Sequence, residues 1–378
     1  MTELIIPSKA PELSELKERR VDRWARKAIL SLLKRLVHGK VTIIENHYRY
    51  NFGEQSDKSS LQAVITVQHP QLYTRIFFGG SIGAAEAYMD GLWKADDLTM
   101  VMRILVLNQK AFEDMEKGLA RLTVPLYKFY HFLRKNTKKG SRENILAHYD
   151  LGNNFYSLFL DDTMTYSCGI FEHEKSSLKD ASVAKYDRIC RKLLLNPGER
   201  ILEIGTGWGG FAIHAAQNYG VHVTTTTISD EQYQFAERRI KAAGLEDRIT
   251  LLKKDYRDLS GKFDKLVSIE MIEAVGHQYL KTFFQTCSRL LKDDGIMALQ
   301  AITIGDQVFD RHKRSVDFIK RYIFPGSCIP SITAISDAIA RATDLRIVHL
   351  EDISPHYART LREWRQRFFA NHEKVRAL

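Results

Sequence analysis

The chain has 378 residues, with 56 Lys and Arg against 46 Asp and Glu for a net charge of +10, and it contains four cysteines. This length allows two domains, each with its own core. No apolar run approaches the roughly 18 residues that a membrane span requires, and residues 1–11 lack the apolar centre of a signal peptide. The cysteines show neither paired nor metal-ligand spacing. Composition therefore excludes membrane-spanning and disulfide-stapled proteins, and we expect a cytoplasmic protein without a metal site.

A basic amphipathic segment lies near the start of the chain. Residues 1–140 contain 23 Lys and Arg against 15 Asp and Glu, so most of the excess charge lies there. In residues 11–37, leucines, Trp24 and Ala28 recur at helical spacing among basic residues, which predicts an amphipathic helix. Such a helix can lie on an anionic membrane surface, or it can dock on its own domain or on a second copy. The sequence leaves these alternatives open.

The sequence pattern of the first part of the chain predicts a small α+β domain. A polar, basic stretch at 134–144 predicts a linker, so we assign 1–133 to this domain and 145–378 to the next. The predicted strands of the first domain are 41–50, 61–67 and 72–78, and its predicted helices are 83–90 and 99–108.

The sequence pattern of the second domain predicts an α/β fold. Alternation of strands and helices from about residue 180 indicates a mostly parallel sheet, in which ligands bind at the carboxyl ends of the strands. Those ends supply Glu203, Thr227, Asp255, Glu270 and residues 302–304. The predicted helices include 181–195 and 358–370, and the predicted strands are 200–204, 222–227, 248–254, 263–269, 295–302 and 346–352.

A glycine-rich turn follows the first of these strands. Gly205, Gly207 and Gly210 allow a tight turn that a ligand can approach closely. A dinucleotide-binding fold would place a carboxylate at the end of the next strand, where 222–227 ends in threonines instead. Glu203, just before the first glycine, is the arrangement found in S-adenosylmethionine-dependent methyltransferases. A purely structural glycine turn and a nucleotide oxidoreductase are the alternatives.

Several short stretches, taken in order, resemble the cyclopropane fatty acid synthases, a family that includes the mycolic acid cyclopropane synthases. They are 81–93, 148–153, 165–168, 227–232, 255–259, 271–276, 321–326 and 329–331. Family members transfer a methylene group from S-adenosylmethionine to the cis double bond of phospholipid-linked unsaturated acyl chains. The resemblance implies a Rossmann-like class I methyltransferase domain after the small α+β domain. It also implies a peripheral enzyme on the phospholipid surface at the inner face of the cell membrane, with no nucleic-acid partner and with a homodimer as one possibility.

The resemblance implies a set of residues that contact S-adenosylmethionine. In chain order they are Tyr166, Ser167, Glu203, Gly205, Gly207, Thr227, Gln232 and Tyr256. The two glycines correspond to positions at the amino-acid end of the co-substrate, Thr227 and Gln232 to positions near its ribose, and Tyr256 to a position near its adenine.

The resemblance also implies a pocket for bicarbonate, which serves as the base in this family. The pocket maps onto Cys168, Glu273, the backbone of Ile304, and Tyr357. A base is needed because one proton must leave the transferred methyl group before the ring can close. Glu273 would hold a bicarbonate that is protonated on the facing oxygen, since two adjacent anions repel each other.

Two features depart from the family pattern. Ile302 stands where the bicarbonate pocket usually has a histidine, which places the chain in a branch that lacks it. Gln300, two residues earlier on the same strand face, is a candidate substitute donor. Family members usually continue with another helix and a final antiparallel strand, which nothing after the predicted helix 358–370 supplies. If the chain is complete, we expect unpaired backbone groups in the sheet and lower solubility or activity than in a version extended by that strand.

Three alternatives to a cyclopropane synthase stay open at this point. A fatty acid methyltransferase would give methyl-branched chains, a product known in the wider group. A methyltransferase acting on RNA would suit the positive charge, although the first domain has no basic–aromatic recognition signature, and a small-molecule methyltransferase belongs to the same class. A cofactor-binding homologue without catalysis would tolerate both departures.

Overall fold

The computed structural model describes residues 19–53, 61–110, 136–138, 140–141, 144 and 152–378. The chain divides into two compact units, Met1–Tyr130 with Ser315–Phe318, and His131–Arg314 with Ile319–Leu378. The predicted segments 11–18 and 148–151 lie outside the described residues. In the described regions, none of the helices combines the length and the apolar character needed to cross a bilayer.

The first unit builds helices against a small mixed sheet. Its elements are α1 (Arg20–Leu33), β1 (Lys40–Glu45), β2 (Tyr48–Phe52), β3 (Gln62–Val67), α2 (Gln71–Met89), β4 (Trp93–Ala95) and α3 (Leu98–Leu107). The sheet order is β2-β1-β3-β4, with β1 and β3 parallel and the two outer pairs antiparallel. Side chains from the strands and from all three helices form one core, which includes Ile29, Val41 and Ile104.

Helix α1 docks on its own unit. Ala25, Ile29 and Leu33 lie one helical turn apart and are buried in the core. Asp22 on the same helix is also buried, and it accepts hydrogen bonds from the Arg19 backbone and guanidinium and from the Thr74 hydroxyl. The apolar face of residues 20–33 therefore packs on its own domain, which is one of the alternatives that the sequence left open.

Two strand predictions in the first unit were wrong. Residues 72–78 belong to helix α2, because Leu72, Tyr73, Ile76 and Phe77 form one helical face against the core. Pro70, immediately before the helix, is a helix start signal. Residues 41–50 form a hairpin rather than one strand. The chain reverses where Asn46 adopts φ 53°, a left-handed conformation that asparagine tolerates.

The predicted helices of the first unit are present. Residues 83–90 form the end of α2, which is interrupted at Gly80. Residues 99–108 correspond to α3, and the Asp97 side chain caps this helix by accepting from the N–H groups of Thr99 and Met100.

The second unit is built on a parallel sheet. Its elements are α4 (Gly152–Ser157), α5 (Leu178–Lys192), β5 (Arg200–Ile204), α6 (Gly210–Tyr219), β6 (His222–Thr226), α7 (Asp230–Ala242), β7 (Ile249–Leu252), β8 (Phe263–Ile269), α8 (Leu280–Leu290), β9 (Leu291–Gln300), α9 (Asp306–His312), α10 (Ile332–Ala342), α11 (Ser354–Ala370) and α12 (His372–Arg376). The strand order is β7-β6-β5-β8-β9, and every neighbouring pair is parallel. This order places the central strands β5 and β8 side by side, so their carboxyl ends meet at one edge.

The predicted sixth strand was wrong. Residues 346–352 form no strand, and Ile347, Val348 and Leu350 are exposed. Their alternation resembled a half-buried strand, but no strand pairs with them in the described part of the chain. Within residues 152–378 the sheet ends at β9, without an antiparallel strand.

Gly210 fixes the packing of α6. It is the last glycine of the sequence pattern, and a Cβ at this position would lie 2.3 Å from the Tyr186 hydroxyl and 3.0 Å from the Thr163 carbonyl oxygen. The absence of a side chain therefore lets the start of α6 approach α5 closely. Close packing, rather than ligand contact, explains this third glycine.

The substitution Gly210→Ala should destabilise the protein by about 1–3 kcal/mol, because the added methyl group overpacks a rigid contact. Urea unfolding of the full chain measures this change. The matched control is Gly305→Ala, where φ is −57° and the nearest contact is the flexible Gln307 side chain at 3.2 Å. We expect a change within about 0.5 kcal/mol there. Equal losses in the two variants would contradict this account of Gly210.

Candidate active site

The turn between β5 and α6 forms an open glycine loop. Gly205, Gly207 and Gly209 have φ values of 100°, 52° and 85°, which non-glycine residues seldom adopt. The N–H groups of Gly205 and Thr206 donate to the Thr226 carbonyl at the end of β6. Among the described residues, nothing lies within 4 Å of a Cβ placed on Gly207. The loop is thus held firmly on one side and has room for a ligand on the other, as the prediction for S-adenosylmethionine requires.

Glu203 supports this loop from inside the protein. The side chain is buried and accepts a hydrogen bond of 2.6 Å from the Thr225 hydroxyl, which also bonds to the Thr206 hydroxyl at 2.7 Å. Burial raises the pKa of Glu203 to about 8, although Thr225 and the charge of Lys185 act in the opposite direction. The carboxyl group therefore reaches the glycine loop through two hydroxyl groups.

A buried lysine lies beside the predicted co-substrate residues. Lys185 on α5 is fully buried, and its Nζ donates to the Ser167 Oγ at 2.6 Å. Burial lowers the pKa of Lys185 to about 8, while the nearby carboxyl groups of Glu270 and Glu203 raise it. Sequence reasoning missed this residue, because nothing in its neighbourhood along the chain distinguishes it from the other lysines of an amphipathic helix.

The predicted ribose residues contact each other. Thr227 follows β6, and its hydroxyl donates to the Gln232 Oε1 at 2.9 Å. Gln232 lies in the first turn of α7, whose N-cap Ser229 accepts from the Gln232 N–H at 3.3 Å. Both side chains are buried at the carboxyl end of the sheet. The structure therefore brings these two residues together at the expected edge.

The predicted adenine residue lies after the next strand. Tyr256 follows β7 and is half-buried, with its ring edge-on to Phe283 at a centroid distance of 5.5 Å. Burial raises its pKa above the ordinary value. The neighbouring Asp255 and Arg257 form an ion pair of 2.6 Å that fixes the turn.

Aromatic side chains surround Tyr166. Its ring lies 5.2 Å from that of Trp364 on α11 and 5.4 Å from that of Tyr156 on α4. Phe159 and Phe324 complete the group at centroid distances of 6.2 and 6.5 Å. The arrangement provides an apolar environment immediately before Ser167.

Glu270 is the centre of a partly buried hydrogen-bond cluster. It follows β8, and its Oε1 accepts from the Cys168 N–H at 2.9 Å and from the Gln300 Nε2 at 2.8 Å. The Tyr357 hydroxyl lies 3.4 Å from its Oε2. Burial raises the pKa of Glu270, whereas these three donors and the charge of Lys185 lower it. Its φ of 48° lies in the left-handed region, which is unusual for a residue with a side chain.

Glu273 lies one short turn further along the chain. Its Oε1 accepts from the Ile302 N–H at 2.5 Å, while its buried Oε2 has no hydrogen-bond partner within the described residues. Burial raises the pKa of Glu273 to about 8, and the charge of Glu270 raises it as well. Burial and the neighbouring charge thus both favour the protonated form of Glu273.

The structure brings together three of the five predicted catalytic residues. Cys168, Gln300 and Tyr357 meet around Glu270, and Glu273 is coupled to that cluster by charge. The Ile304 N–H instead donates to the Pro330 carbonyl at 3.0 Å. Burial raises the pKa of the Cys168 thiol to about 11, so this thiol is not an activated nucleophile. The catalytic roles of these residues stay predictions.

Sequence reasoning placed Glu270 at the ligand-binding edge of the sheet but assigned it no role in the site. The signal was its position at the carboxyl end of a central strand. Its partners Cys168 and Tyr357 are 102 and 87 residues away along the chain, so no local pattern connects them.

Comparison with known proteins identifies the family. Residues 136–378 match the family model described as mycolic acid cyclopropane synthetase. The chain is 39% identical to the cyclopropane-fatty-acyl-phospholipid synthase of Escherichia coli K12 over 324 residues, which is 82% of this chain and 78% of that protein. It is 38% identical to the tuberculostearic acid methyltransferase UfaA1 of Mycobacterium tuberculosis over 304 residues, which is 79% of this chain and 70% of that protein.

Solved structures agree with this assignment. The cyclopropane synthase MmaA2 from Mycobacterium tuberculosis aligns with a TM-score of 0.58 and 31% identity, and the alignment covers 62% of this chain and 86% of that chain. The mycolic acid cyclopropane synthase CmaA1, complexed with SAH and CTAB, aligns with a TM-score of 0.59, 33% identity and the same coverage. The chain therefore belongs to the mycolic acid cyclopropane synthetase family and is a methyltransferase with S-adenosylmethionine as its co-substrate.

Proposed function

We propose that this protein is a cyclopropane-fatty-acyl-phospholipid synthase, which adds a methylene group from S-adenosylmethionine across the cis double bond of a phospholipid-linked acyl chain. The observation that carries the proposal is the 39% identity with the Escherichia coli enzyme of that name over 82% of this chain. The buried carboxyl groups of Glu270 and Glu273 near the glycine loop support it, because ring closure requires removal of one proton.

The environment of Tyr166 suits the first step of this reaction. An alkene is a weak nucleophile, so the sulfonium methyl group must be aligned with the double bond in a site that excludes water. Methyl transfer then leaves a positive charge on the carbon chain. The faces of aromatic rings such as Tyr166 and Trp364 attract such a charge. Their close contact with each other also keeps water out of this region.

The bicarbonate that the resemblance implies does not fit these residues as they lie. Cys168 and Tyr357, two of its expected ligands, direct the backbone N–H and the hydroxyl to Glu270. The backbone N–H of Ile304 is also engaged, by a loop carbonyl. A further anion at this place would meet repulsion from the ionised member of the carboxyl pair. The residues present therefore do not fit bicarbonate, and we assign no proton transfer to it.

A fatty acid methyltransferase is the second candidate function. The observations that favour it are the 38% identity with a tuberculostearic acid methyltransferase and Ile302 at the position where the resemblance implies a histidine. A saturated methyl branch would require a reductant in addition to S-adenosylmethionine, so analysis of the products separates the two candidates.

We also propose that α1 binds the phospholipid surface on which the substrate lies, at the cytoplasmic face of the membrane. Its outer face exposes Arg20, Val21, Trp24 and Lys27, and Trp24 is 50% exposed. Basic residues beside an exposed tryptophan are typical of helices that lie in the interface of anionic membranes. Since the opposite face of α1 is buried in the core of its unit, the helix can meet the membrane without leaving its place.

The main proposal predicts a change in cellular lipids. Expression in a bacterium that lacks its own synthase should give fatty acid methyl esters heavier by one CH₂, without the double bond and without methyl-branch fragments in mass spectrometry. The matched control is Gly205→Val, because a β-branched side chain at φ 100° strains the loop and meets Met271. Unchanged lipids in cells that contain soluble wild-type protein would refute the proposal.

The membrane proposal predicts a loss of vesicle binding on charge reversal. The double variant Arg20→Glu and Lys27→Glu should bind phosphatidylglycerol-containing vesicles at least about tenfold more weakly, because each basic residue near an anionic surface contributes about 1 kcal/mol. Co-sedimentation measures the binding. Reversal of two exposed lysines of the second unit, Lys241 and Lys281, should have a smaller effect, and an equal effect of the two double variants would argue against α1.

A further inference from the structure

Glu270 lies next to residues that the co-substrate is expected to contact. The next residue, Met271, lies against the glycine loop, 3.3 Å from the position of a Cβ on Gly205. The carboxylate itself bonds to the N–H of Cys168, which directly follows the predicted co-substrate residues Tyr166 and Ser167. The carboxyl group is therefore linked on two sides to residues that the co-substrate is expected to contact.

The donors around Glu270 favour its ionised form over that of Glu273. Glu270 accepts hydrogen bonds from the Cys168 N–H and the Gln300 amide, and it lies beside the Tyr357 hydroxyl. Glu273 accepts one hydrogen bond, from a backbone N–H, and its other oxygen is buried without a partner in the described part of the chain. Two carboxyl groups in unequal environments divide the roles of base and acid between them. These unequal environments favour a protonated Glu273 and an anionic Glu270.

Lys185 supplies a balancing positive charge. Its buried ammonium group interacts electrostatically with Glu270, and this charge favours the carboxylate form of Glu270 in a site that would otherwise disfavour any anion. The chain thus supplies a carboxyl group together with the donors and the cation that stabilise its ionised form.

We propose that the carboxylate of Glu270 is the general base of the reaction and takes the place that the family resemblance assigns to bicarbonate. This inference rests on the proposed synthase function. The π electrons of the alkene form a bond to the methyl carbon while the C–S bond breaks and its electron pair stays on sulfur. One C–H bond of that methyl group then breaks, the proton passes to Glu270, and the C–H electron pair closes the ring. The carboxylic acid formed on Glu270 returns its proton to solvent before the next cycle.

The test uses the purified full chain with S-adenosylmethionine and vesicles that contain phospholipids with cis-unsaturated chains. Release of S-adenosylhomocysteine reports methyl transfer, and mass spectrometry of the lipids reports ring closure. Each reaction runs in buffer freed of carbon dioxide and in the same buffer with added bicarbonate. We expect wild-type rates in the two buffers to agree within about twofold, since a base on the chain makes an external one unnecessary.

Substitution of Glu270 should separate methyl transfer from ring closure. Glu270→Gln should lower cyclopropane formation by about 10²–10⁴-fold, the usual contribution of a general base. Release of S-adenosylhomocysteine should fall less, because the carbon cation then loses a different proton or is captured by water. Methylated products without a ring should appear. A purely structural role would lower both readouts together. The control Glu237→Gln, at an exposed position on α7, should behave as wild type.

A second variant keeps the test valid if Glu270→Gln folds poorly. Glu270→Gly removes the carboxylate at a backbone conformation that glycine adopts without strain, and it leaves space for a small carboxylate. Added formate or bicarbonate should restore a substantial part of cyclopropane formation. Failure of both anions to restore activity in folded Glu270→Gly would overturn the inference.

Other outcomes separate this inference from the proposed function. A wild-type enzyme that is active only with bicarbonate, or a Glu270→Gln variant with the wild-type cyclopropane yield, would overturn the role of Glu270 and leave the synthase function intact. A wild-type enzyme that transfers no methyl group to unsaturated phospholipids in either buffer would overturn both.

Discussion

The buried carboxyl group at the end of β8 links the elements of the second unit that meet at its functional edge. Glu270 accepts from the Cys168 backbone before α5, from the Gln300 side chain at the end of β9, and lies beside the hydroxyl of Tyr357 on α11. A buried anion needs such donors, because burial without them costs several kcal/mol. The need to satisfy this charge therefore fixes a loop, a strand and a helix relative to one another, in addition to their apolar contacts. The same donors that hold the elements together make the carboxylate available for chemistry.

Ile302 stands at the position where the resemblance implies a histidine. Its side chain provides no hydrogen bond, but its backbone N–H donates to Glu273. Gln300 directs its amide to Glu270 and to the Cys168 carbonyl at 3.2 Å. Residues that appear as losses when they are compared with the family pattern thus form part of one connected cluster.

Local patterns predicted much of the second unit and less of the first. The strands β5, β6, β7, β8 and β9 were predicted because short segments rich in apolar and β-branched residues alternate there with helical segments. The same rule failed for 72–78, where aromatic and β-branched residues lie on one face of a helix. It failed again for 346–352, where an alternating pattern has no neighbouring strand in the described chain. A strand forms only where a neighbouring strand pairs with it, and the sequence of one segment does not identify that neighbour.

Some residues of the candidate site could also be predicted from local sequence, and others could not. The glycine loop and Glu203 are contiguous, so spacing alone pointed to them, while Lys185 and Glu270 acquire their environments from residues far along the chain. Burial of an ionisable group is a property of the folded protein. For that reason the carboxyl pair was visible in the sequence only as two glutamates after a strand.

The left-handed backbone of Glu270 also bears on how such a site evolves. Glycine adopts this conformation without strain, and every glutamate codon becomes a glycine codon through one nucleotide change. A lineage can therefore gain or lose the carboxylate at this position in one mutational step, with the surrounding backbone unchanged. Selection for growth at low or high dissolved carbon dioxide would then act on a single base pair.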